Sequence, residues 1–168
     1  MRLRKIIDIQ TGELADASGN VTIATTALGS CVAIALYDPV TRAGGMAHVM
    51  LPGECPAPGS PERFRYVEDA LGELLRRLEE RTIPRERLIV SVAGGGNVLE
   101  DPEDTICHAV IRSVLEALQS RGLVITAGSL GGKSRRRMSL DLGKGHIRCG
   151  LGNGPERRIW SMERDLRG

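Results

Sequence analysis

The sequence is poor in aromatic residues, with only one Trp, one Phe and two Tyr in 168 residues. Hydrophobic residues still make up 41% of the chain, so a core must be built mainly from Ala, Val, Ile and Leu. The chain also contains 21 Gly and 8 Pro, which indicate many turns, because Gly permits positive φ and Pro fixes φ. Domains most often contain about 100–150 residues. We therefore expect residues 1–168 to form a single domain.

The chain has no strong excess of charge of either sign, because 23 basic and 21 acidic residues leave a net charge of +2. This balance gives no electrostatic support for binding to nucleic acid or to an anionic membrane. No segment approaches the roughly 20 consecutive apolar residues of a transmembrane helix. Residues 1–8 (MRLRKIID) lack the apolar run of a secretory signal peptide. These absences predict a soluble, cytoplasmic protein that does not insert into membranes.

The four Cys residues, at positions 31, 55, 107 and 149, form no CxxC pair and no Cys/His cluster with zinc-ligand spacing. In the cytosol such residues are expected to be reduced thiols. Neither a metal nor an organic cofactor is predicted. A lone Cys at the start of an apolar strand is more often a packing residue than a nucleophile, so spacing alone does not assign a function to Cys31.

Hydrophobic periodicity predicts a mixed α/β sandwich with two amphipathic helices that cover sheet faces and seven or eight strands. The helices are expected over residues 63–81 and about 102–120. Strands are expected at 5–9, 21–26, 31–37, 44–51, 88–93 and 123–127, followed by a final hairpin that turns at 143–145. Residues 14–20 are predicted to form a turn, and the charged tail after about residue 155 is predicted to be flexible.

Two residues of the predicted hairpin over 31–51 carry reactive groups. If 39–40, in the turn sequence DPVT, form a two-residue connection, Cys31 lies directly opposite His48. Opposed residues of an antiparallel pair have Cβ atoms about 4.5–5.5 Å apart. A thiol and an imidazole at this separation form the type of ion pair that lowers a cysteine pKa and generates a nucleophile. A bulge at 44–45 would change this register, so the pairing is a hypothesis.

The sequence around these two residues resembles the CheD family, the chemoreceptor glutamine deamidases. The resemblance is carried by residues 28–39 (LGSCVAIALYDP) and 44–52 (GGMAHVMLP), and it is weaker near 94–96 and 130–132. It implies an α/β (α+β) fold in which two packed mixed sheets are flanked by helices. This fold is similar to the catalytic domain of cytotoxic necrotizing factor.

The resemblance also implies roles for individual residues. Cys31 matches the family nucleophile and His48 its base, while Thr25, six residues before the cysteine, matches a threonine that orients the histidine. Thr26 is the neighbouring alternative, and spacing favours Thr25. The implied reaction converts glutamine of methyl-accepting chemotaxis receptors to glutamate and ammonia through a thioester, as in a protein-glutamine glutaminase. Backbone N–H groups of residues 29–31 are candidate donors to the oxyanion.

This chain departs from the usual family pattern at 106–110 (ICHAV) and at Ser129. Both departures leave the nucleophile and the base in place and bear on substrate choice and on the usual partner. A second function therefore stays open: an adaptor that binds a CheC-type phosphatase or a receptor without turnover. The presence of both Cys31 and His48 favours the enzyme.

A third function, nucleotide binding, is suggested by residues 127–134 (AGSLGGKS), which fit a relaxed phosphate-binding loop. Such a loop must open a helix, but residues 135–141 alternate as a strand does. The run 94–97 (GGGN) is predicted to be a tight turn after a strand, and the arginines at 135–137 are predicted to lie on a solvated face of the hairpin.

Overall fold

The computed structural model describes residues 3–103 and 105–165. These residues form ten strands, two long helices, one short terminal helix and two single 3₁₀ turns. The strands are β1 (Lys5–Ile9), β2 (Leu14–Ser18), β3 (Val21–Thr25), β4 (Val32–Asp38), β5 (Ala43–Val49), β6 (Ile89–Gly94), β7 (Ile125–Leu130), β8 (Arg136–Asp141), β9 (His146–Leu151) and β10 (Glu156–Ser161). The helices are α1 (Val67–Glu80), α2 (Ile106–Ser120) and α3 (Met162–Asp165), and the 3₁₀ turns are Arg63–Arg65 and Arg85–Arg87.

The strands form two five-stranded sheets. Sheet I has the order β1-β3-β8-β9-β10, and sheet II has the order β2-β5-β4-β6-β7. Each sheet is mixed, because β1 is parallel to β3 and β6 is parallel to β7, whereas the other neighbours are antiparallel. The predicted mixed α/β sandwich is therefore confirmed. Among the described helices, none combines the length and apolarity needed to cross a bilayer.

Sheet II is the middle layer, because apolar cores cover both of its faces. Its central strand β4 is buried at all seven residues. Alternate residues of β4 (Val32, Ile34 and Leu36) pack against the helices, while Ala33, Ala35 and Tyr37 pack against sheet I. This double burial explains why β4 reads as a continuous apolar run rather than as an alternating one. The few aromatic residues include a close pair in the layer between the sheets, where Tyr37 meets Trp160 edge to face at 5.8 Å.

Helix α1 follows the predicted periodicity. Its buried residues are Val67, Ala70, Leu71, Leu74, Leu75 and Leu78, which form one stripe of the helix surface. The helix begins later than predicted, because Arg63–Arg65 forms a 3₁₀ turn and Tyr66 is extended, with ψ 137°. Helix α2 likewise begins at Ile106 rather than near residue 102.

The hairpin of β4 and β5 differs from the prediction in its register. Asp38 pairs with Ala43, so the connection contains four residues, and His48 pairs with Ala33 rather than with Cys31. The predicted opposition of Cys31 and His48 was therefore wrong. The longer connection moves the partner of His48 by two residues, and side chains two residues apart share a face of a strand.

The side chain of Asp38 accounts for the longer connection. Its carboxylate accepts hydrogen bonds from the backbone N–H groups of Val40 and Thr41. It also accepts two from the guanidinium of Arg87, at 2.9 and 2.7 Å. The turn then closes through Arg42, whose φ of 52° lies in the left-handed region. The Asp-Pro signal located the turn correctly but does not encode its length.

Two further segments differ from the sequence predictions, and a third agrees with them. Residues Leu14–Ser18, expected to be a turn, form β2 at the edge of sheet II. The charged segment after Gly154 contains β10, while residues 166–168 lie outside the described residues. The phosphate-loop pattern at 127–134 covers the end of β7 and the loop before β8, and a strand rather than a helix follows it, as expected. That geometry does not fit a phosphate-binding loop.

Candidate active site

Cys31 and His48 lie at one end of the sandwich, on the side of sheet II that faces sheet I. His48 projects from β5 on the same face as Met46, and Cys31 directly precedes β4 and packs against the core between the sheets. Because Ala33 is the partner of His48, Cys31 is its diagonal neighbour. Diagonal neighbours in a sheet are about 7–8 Å apart or less. His48 is 1% exposed, whereas Cys31 is half-buried.

The backbone of Cys31 is held by the three glycines at 94–96, the first of which ends β6. The N–H of Gly95 donates to the carbonyl oxygen of Cys31 at 2.8 Å, and the N–H of Gly96 donates to that of Gly29 at 2.9 Å. Gly94 has φ 121°, and a Cβ at that position would overlap the carbonyl of Cys31. The glycine run therefore ends the strand in an irregular segment, with a turn only at 98–99, and it supports the cysteine, which its sequence pattern did not reveal.

His48 is held by the turn that connects β1 and β2. Its N–H donates to the carbonyl oxygen of Glu13 at 3.0 Å, and its own carbonyl accepts from the N–H of Gly12 at 2.8 Å. The ring atom Nδ1 lies 3.4 Å from the carbonyl oxygen of Ile9, and Nε2 lies 3.5 Å from Oγ1 of Thr11. Because a carbonyl can only accept, Nδ1 carries the proton and Nε2 of the neutral ring presents a lone pair.

Thr25 lies in β3, where it is buried. Its hydroxyl accepts from the N–H of Met138 at 3.1 Å and lies 3.5 Å from the carbonyl oxygen of the same residue. Its backbone is in register with Ile9, whose carbonyl is the partner of His48 Nδ1. Thr26 is exposed and donates to Gln10 at 3.4 Å. The threonine hydroxyl placed beside the imidazole is that of Thr11, which sequence reasoning did not identify.

Burial dominates the electrostatics of both reactive groups. It raises the pKa of the Cys31 thiol, and a hydrogen bond with the side chain of Thr11 lowers it in part. Burial also lowers the pKa of His48 below 6.5, while the hydrogen bond to Ile9 and the charge of Glu13 act in the opposite direction. At neutral pH the resting site therefore holds a thiol and a neutral imidazole, and not the ion pair expected from the sequence.

A surface groove of ≈ 230 Å³ adjoins the cysteine turn, and it is lined by Gly29, Ser30, Gly96, Val98, Leu99 and Arg135. Leu99 is 85% exposed, so the groove presents apolar surface next to one cation. The other two arginines of the run serve the fold: Arg136 donates to Ser129 and Arg137 donates to the carbonyl oxygen of Gly152. The prediction of a solvated arginine face was therefore wrong for Arg136, which is buried.

A mixed sandwich that carries a half-buried thiol beside a buried neutral imidazole fits the class of cysteine hydrolases. The family model described as CheD chemotactic sensory transduction matches residues 50–150. The chain belongs to the CheD family.

Several curated relatives cover most of the chain. The "Probable chemoreceptor glutamine deamidase CheD" of Chlorobium luteolum is 35% identical over 150 residues, covering 89% of this chain and 75% of the relative. The "Chemoreceptor glutamine deamidase CheD" of Thermotoga maritima is 32% identical over 148 residues, covering 86% and 90%. A further relative with the name "Probable chemoreceptor glutamine deamidase CheD", from Pyrococcus horikoshii, is 31% identical over 147 residues, covering 86% and 91%.

Proposed function

We propose that this chain is a protein-glutamine glutaminase that acts in the cytoplasm, as one domain, on glutamine side chains of chemoreceptors. The names of its CheD relatives support the substrate class. The observation that carries the chemistry is the placement of Cys31 and His48 on one face of sheet II, where Cys31 is the diagonal neighbour of His48. Deamidation by covalent catalysis requires a nucleophile and a base within reach of each other.

In the first half of the reaction, the sulfur of Cys31 attacks the carboxamide carbon of the substrate while the thiol proton passes to Nε2 of His48. The resulting tetrahedral intermediate carries an oxyanion, for which backbone N–H groups of residues 29–31 are the candidate donors. His48 then gives its proton to the departing nitrogen, and ammonia leaves. A thioester between Cys31 and the substrate remains.

In the second half, the neutral imidazole of His48 removes a proton from a water molecule that attacks the thioester. The carbon–sulfur bond breaks, the proton returns to the sulfur of Cys31, and the substrate leaves as glutamate. One amide and one water thus become one carboxylic acid and one ammonia. No atom of the protein is consumed, and each proton is moved by His48.

Thr25 has a positioning role in this proposal. Its backbone is in register with Ile9, and the carbonyl of Ile9 receives the Nδ1 proton of His48. Thr25 is in turn tied by its hydroxyl to Met138 on β8. A buried threonine that joins β3 to β8 therefore holds in place the strand β1 that orients the imidazole.

The consequence for a receptor is electrostatic, because each event replaces a neutral amide with a carboxylate. One added negative charge changes the repulsion between packed receptor helices and shifts a signalling equilibrium. Binding of a CheC-type phosphatase is a further prediction from the family resemblance, and it does not require turnover. The substitution Cys31→Ala distinguishes the two functions, because it should abolish turnover by an enzyme and leave partner binding by an adaptor unchanged.

The test is mass spectrometry of a full-length chemoreceptor in membranes before and after incubation with the purified full chain. A gain of about 1 Da at defined glutamines, with release of ammonia, is expected for amide-to-acid conversion. Cys31→Ala should abolish both signals. Cys55→Ala is the matched control. The backbone N–H of Cys55 donates a hydrogen bond to Asp69 of α1, and α1 packs on the face of sheet II opposite to Cys31. Equal behaviour of the wild-type chain and Cys31→Ala would refute the deamidase.

A further inference from the structure

Arg136 is a buried cation whose hydrogen-bond partners within the described part of the chain are uncharged. The residue is only 6% exposed. Its guanidinium donates from Nε to Oγ of Ser129 at 2.8 Å and from Nη1 to the carbonyl oxygen of Ser134 at 3.2 Å. These hydrogen bonds hold the group in place, but they do not supply the negative charge that a buried arginine ordinarily has beside it.

Another buried charge of the same molecule shows the usual arrangement. The carboxylate of Asp38 is fully buried, and the guanidinium of Arg87 donates to both of its oxygens. For Arg136, burial lowers the pKa of the guanidinium, and the thiol of Cys149 is the described group that acts in the opposite direction. A buried charge without a partner is costly, so a ligand that brings a negative charge to Arg136 is bound favourably.

Arg136 lines a cavity of ≈ 380 Å³. The cavity is basic and polar, and its other lining residues are Ala27, Ser134, Arg135, Arg137, Gly152 and Asn153. Three arginines therefore surround it, and none of the described residues that line it is acidic. This lining fits a carboxylate, because a guanidinium binds a carboxylate through paired, charge-assisted hydrogen bonds.

The cavity lies beside the segment that leads to Cys31. Leu28 forms a backbone bridge with Arg136, through hydrogen bonds of 2.7 and 3.0 Å, and Arg135 lines both this cavity and the groove next to the cysteine turn. From Ala27, which lines the cavity, to Cys31 the chain spans at most about 14 Å, at about 3.5 Å per residue. A helix covers that distance in about nine residues. One protein segment can therefore reach the cavity and the sulfur together.

Resting on the proposed deamidase function, we propose that this cavity binds the carboxylate of a Glu or Asp side chain in the substrate, within about nine residues of the glutamine that is deamidated. Arg136 supplies a buried cation and Arg135 an exposed one. The bound acidic side chain fixes the position of the substrate segment while the amide approaches the sulfur of Cys31. Selection among receptor glutamines then depends on the charge of the residues around each of them.

The first experiment places a carboxylate inside the protein, where it competes with that of the substrate. Ser129→Asp puts an acidic group at the position that Nε of Arg136 contacts. Ser129→Ala, the matched control, removes the hydroxyl without adding charge. We expect Ser129→Asp to raise KM for receptor deamidation about 10- to 100-fold with kcat little changed, and Ser129→Ala to stay within a few-fold of the wild type. Equal KM values for the two variants would overturn the proposal.

Urea unfolding is measured on the same two variants, because replacement of the buried Arg136 itself is expected to destabilise the fold. An internal ion pair with Arg136 should raise the unfolding midpoint of Ser129→Asp above that of Ser129→Ala. A higher KM in a chain that is more stable than its control is not explained by unfolding. If Ser129→Asp stabilises the fold and leaves KM unchanged, Arg136 has a structural role only and the proposal is wrong.

The substrate side is tested with a receptor in which the Asp and Glu residues within about nine positions of one modified glutamine are replaced by Ala. Deamidation of that glutamine by the wild-type chain should lose about as much kcat/KM as Ser129→Asp loses on the unchanged receptor. The two losses should not multiply when the changes are combined, because both remove the same contact. Losses that multiply would contradict a contact between the substrate carboxylate and Arg136.

Binding without turnover separates this inference from the proposed function. Chains that carry Cys31→Ala, with and without Ser129→Asp, are sedimented with membranes that contain the receptor, and we expect Ser129→Asp to reduce the bound fraction. That reduction, together with a chain containing Cys31 that deamidates no glutamine, would refute the deamidase and leave the carboxylate site intact. Deamidation with equal KM in the wild type and in Ser129→Asp would refute the site and leave the deamidase intact.

Discussion

Burial is the largest influence on the pKa values of Cys31 and His48. Burial raises the pKa of Cys31 and lowers that of His48, so each group rests in its uncharged form. A resting thiol is less easily oxidised or alkylated than a thiolate. In the proposed mechanism, the thiol therefore loses its proton as the sulfur attacks the substrate carbon.

The pH profile should reveal this state of His48. A base must be unprotonated, and the pKa of His48 lies below 6.5. We therefore expect the midpoint of the acid limb of kcat/KM to lie below pH 6.5. Measurement of kcat/KM from about pH 5 to about pH 9 tests this. An acid limb at or above pH 6.5 would contradict it.

Acid unfolding has to be separated from this effect. A histidine with a lowered pKa in the folded state stabilises the protein fully above its unfolded value of 6.5. That contribution is lost as the pH falls through the lower folded value, because the unfolded chain then binds more protons. Circular dichroism recorded at each pH distinguishes loss of structure from protonation of the base.

The sequence identified two of the residues of the site only because of the family resemblance. Nothing in the primary structure marks Thr11, which lies 37 residues before His48 and reaches its ring through packing of the β1–β2 turn against β5. The pairing of a distant turn with a strand is a tertiary contact. Composition and periodicity carry no information about it.

At the scale of elements, periodicity predicted the parts with a clear apolar pattern. Strand β1 and helix α1 fall within the expected segments because their buried positions recur with period two or period 3.6. Strand β2 (LADAS) was missed because it has no β-branched or aromatic residue. Strand β10 (ERRIWS) was missed because it lies at the edge of sheet I and carries three charges.

Gly94, the last residue of β6, packs directly against the carbonyl of Cys31, the residue before β4. Gly94→Ala would force a side chain into the left-handed region at φ 121° and against the carbonyl of Cys31. We expect a loss of about 1–3 kcal/mol in the free energy of unfolding, together with a lower kcat, because Cys31 must move. Urea unfolding and receptor deamidation measure the two effects.

The matched control is Gly122→Ala at the end of α2. Gly122 also has a positive φ, 70°, but a Cβ there would meet nothing within 4 Å. It should therefore lose stability without loss of kcat. If Gly94→Ala keeps a wild-type kcat, the glycine run does not position the cysteine.

At the scale of the molecule, the helices and the two reactive residues lie on opposite faces of sheet II. Helices α1 and α2 cover the face of sheet II opposite to Cys31 and His48. At the end of the sandwich, the groove lined by Ser30 also contains one cation, Arg135. We expect a protein substrate to approach the sulfur of Cys31 past this groove.

Charge reversal tests this approach. Arg135→Glu should raise KM for a receptor with kcat little changed, because long-range charge affects association more than chemistry. The expected loss in kcat/KM is about 10-fold and should shrink in high salt. Arg85→Glu, the same change at an exposed surface pair with Glu79, is the control and should have little effect. Equal KM values for the two variants would exclude Arg135 from substrate contact.

The complete burial of β4 has a consequence for local motion. Amide hydrogens in the middle of this strand are bonded on both sides and shielded by two cores, so their exchange with deuterium should approach the rate set by global unfolding. Cys31 stands one residue before that strand. Cys31 therefore lies at the boundary between the backbone expected to exchange most slowly and a surface turn, with the strand on one side and the loop on the other.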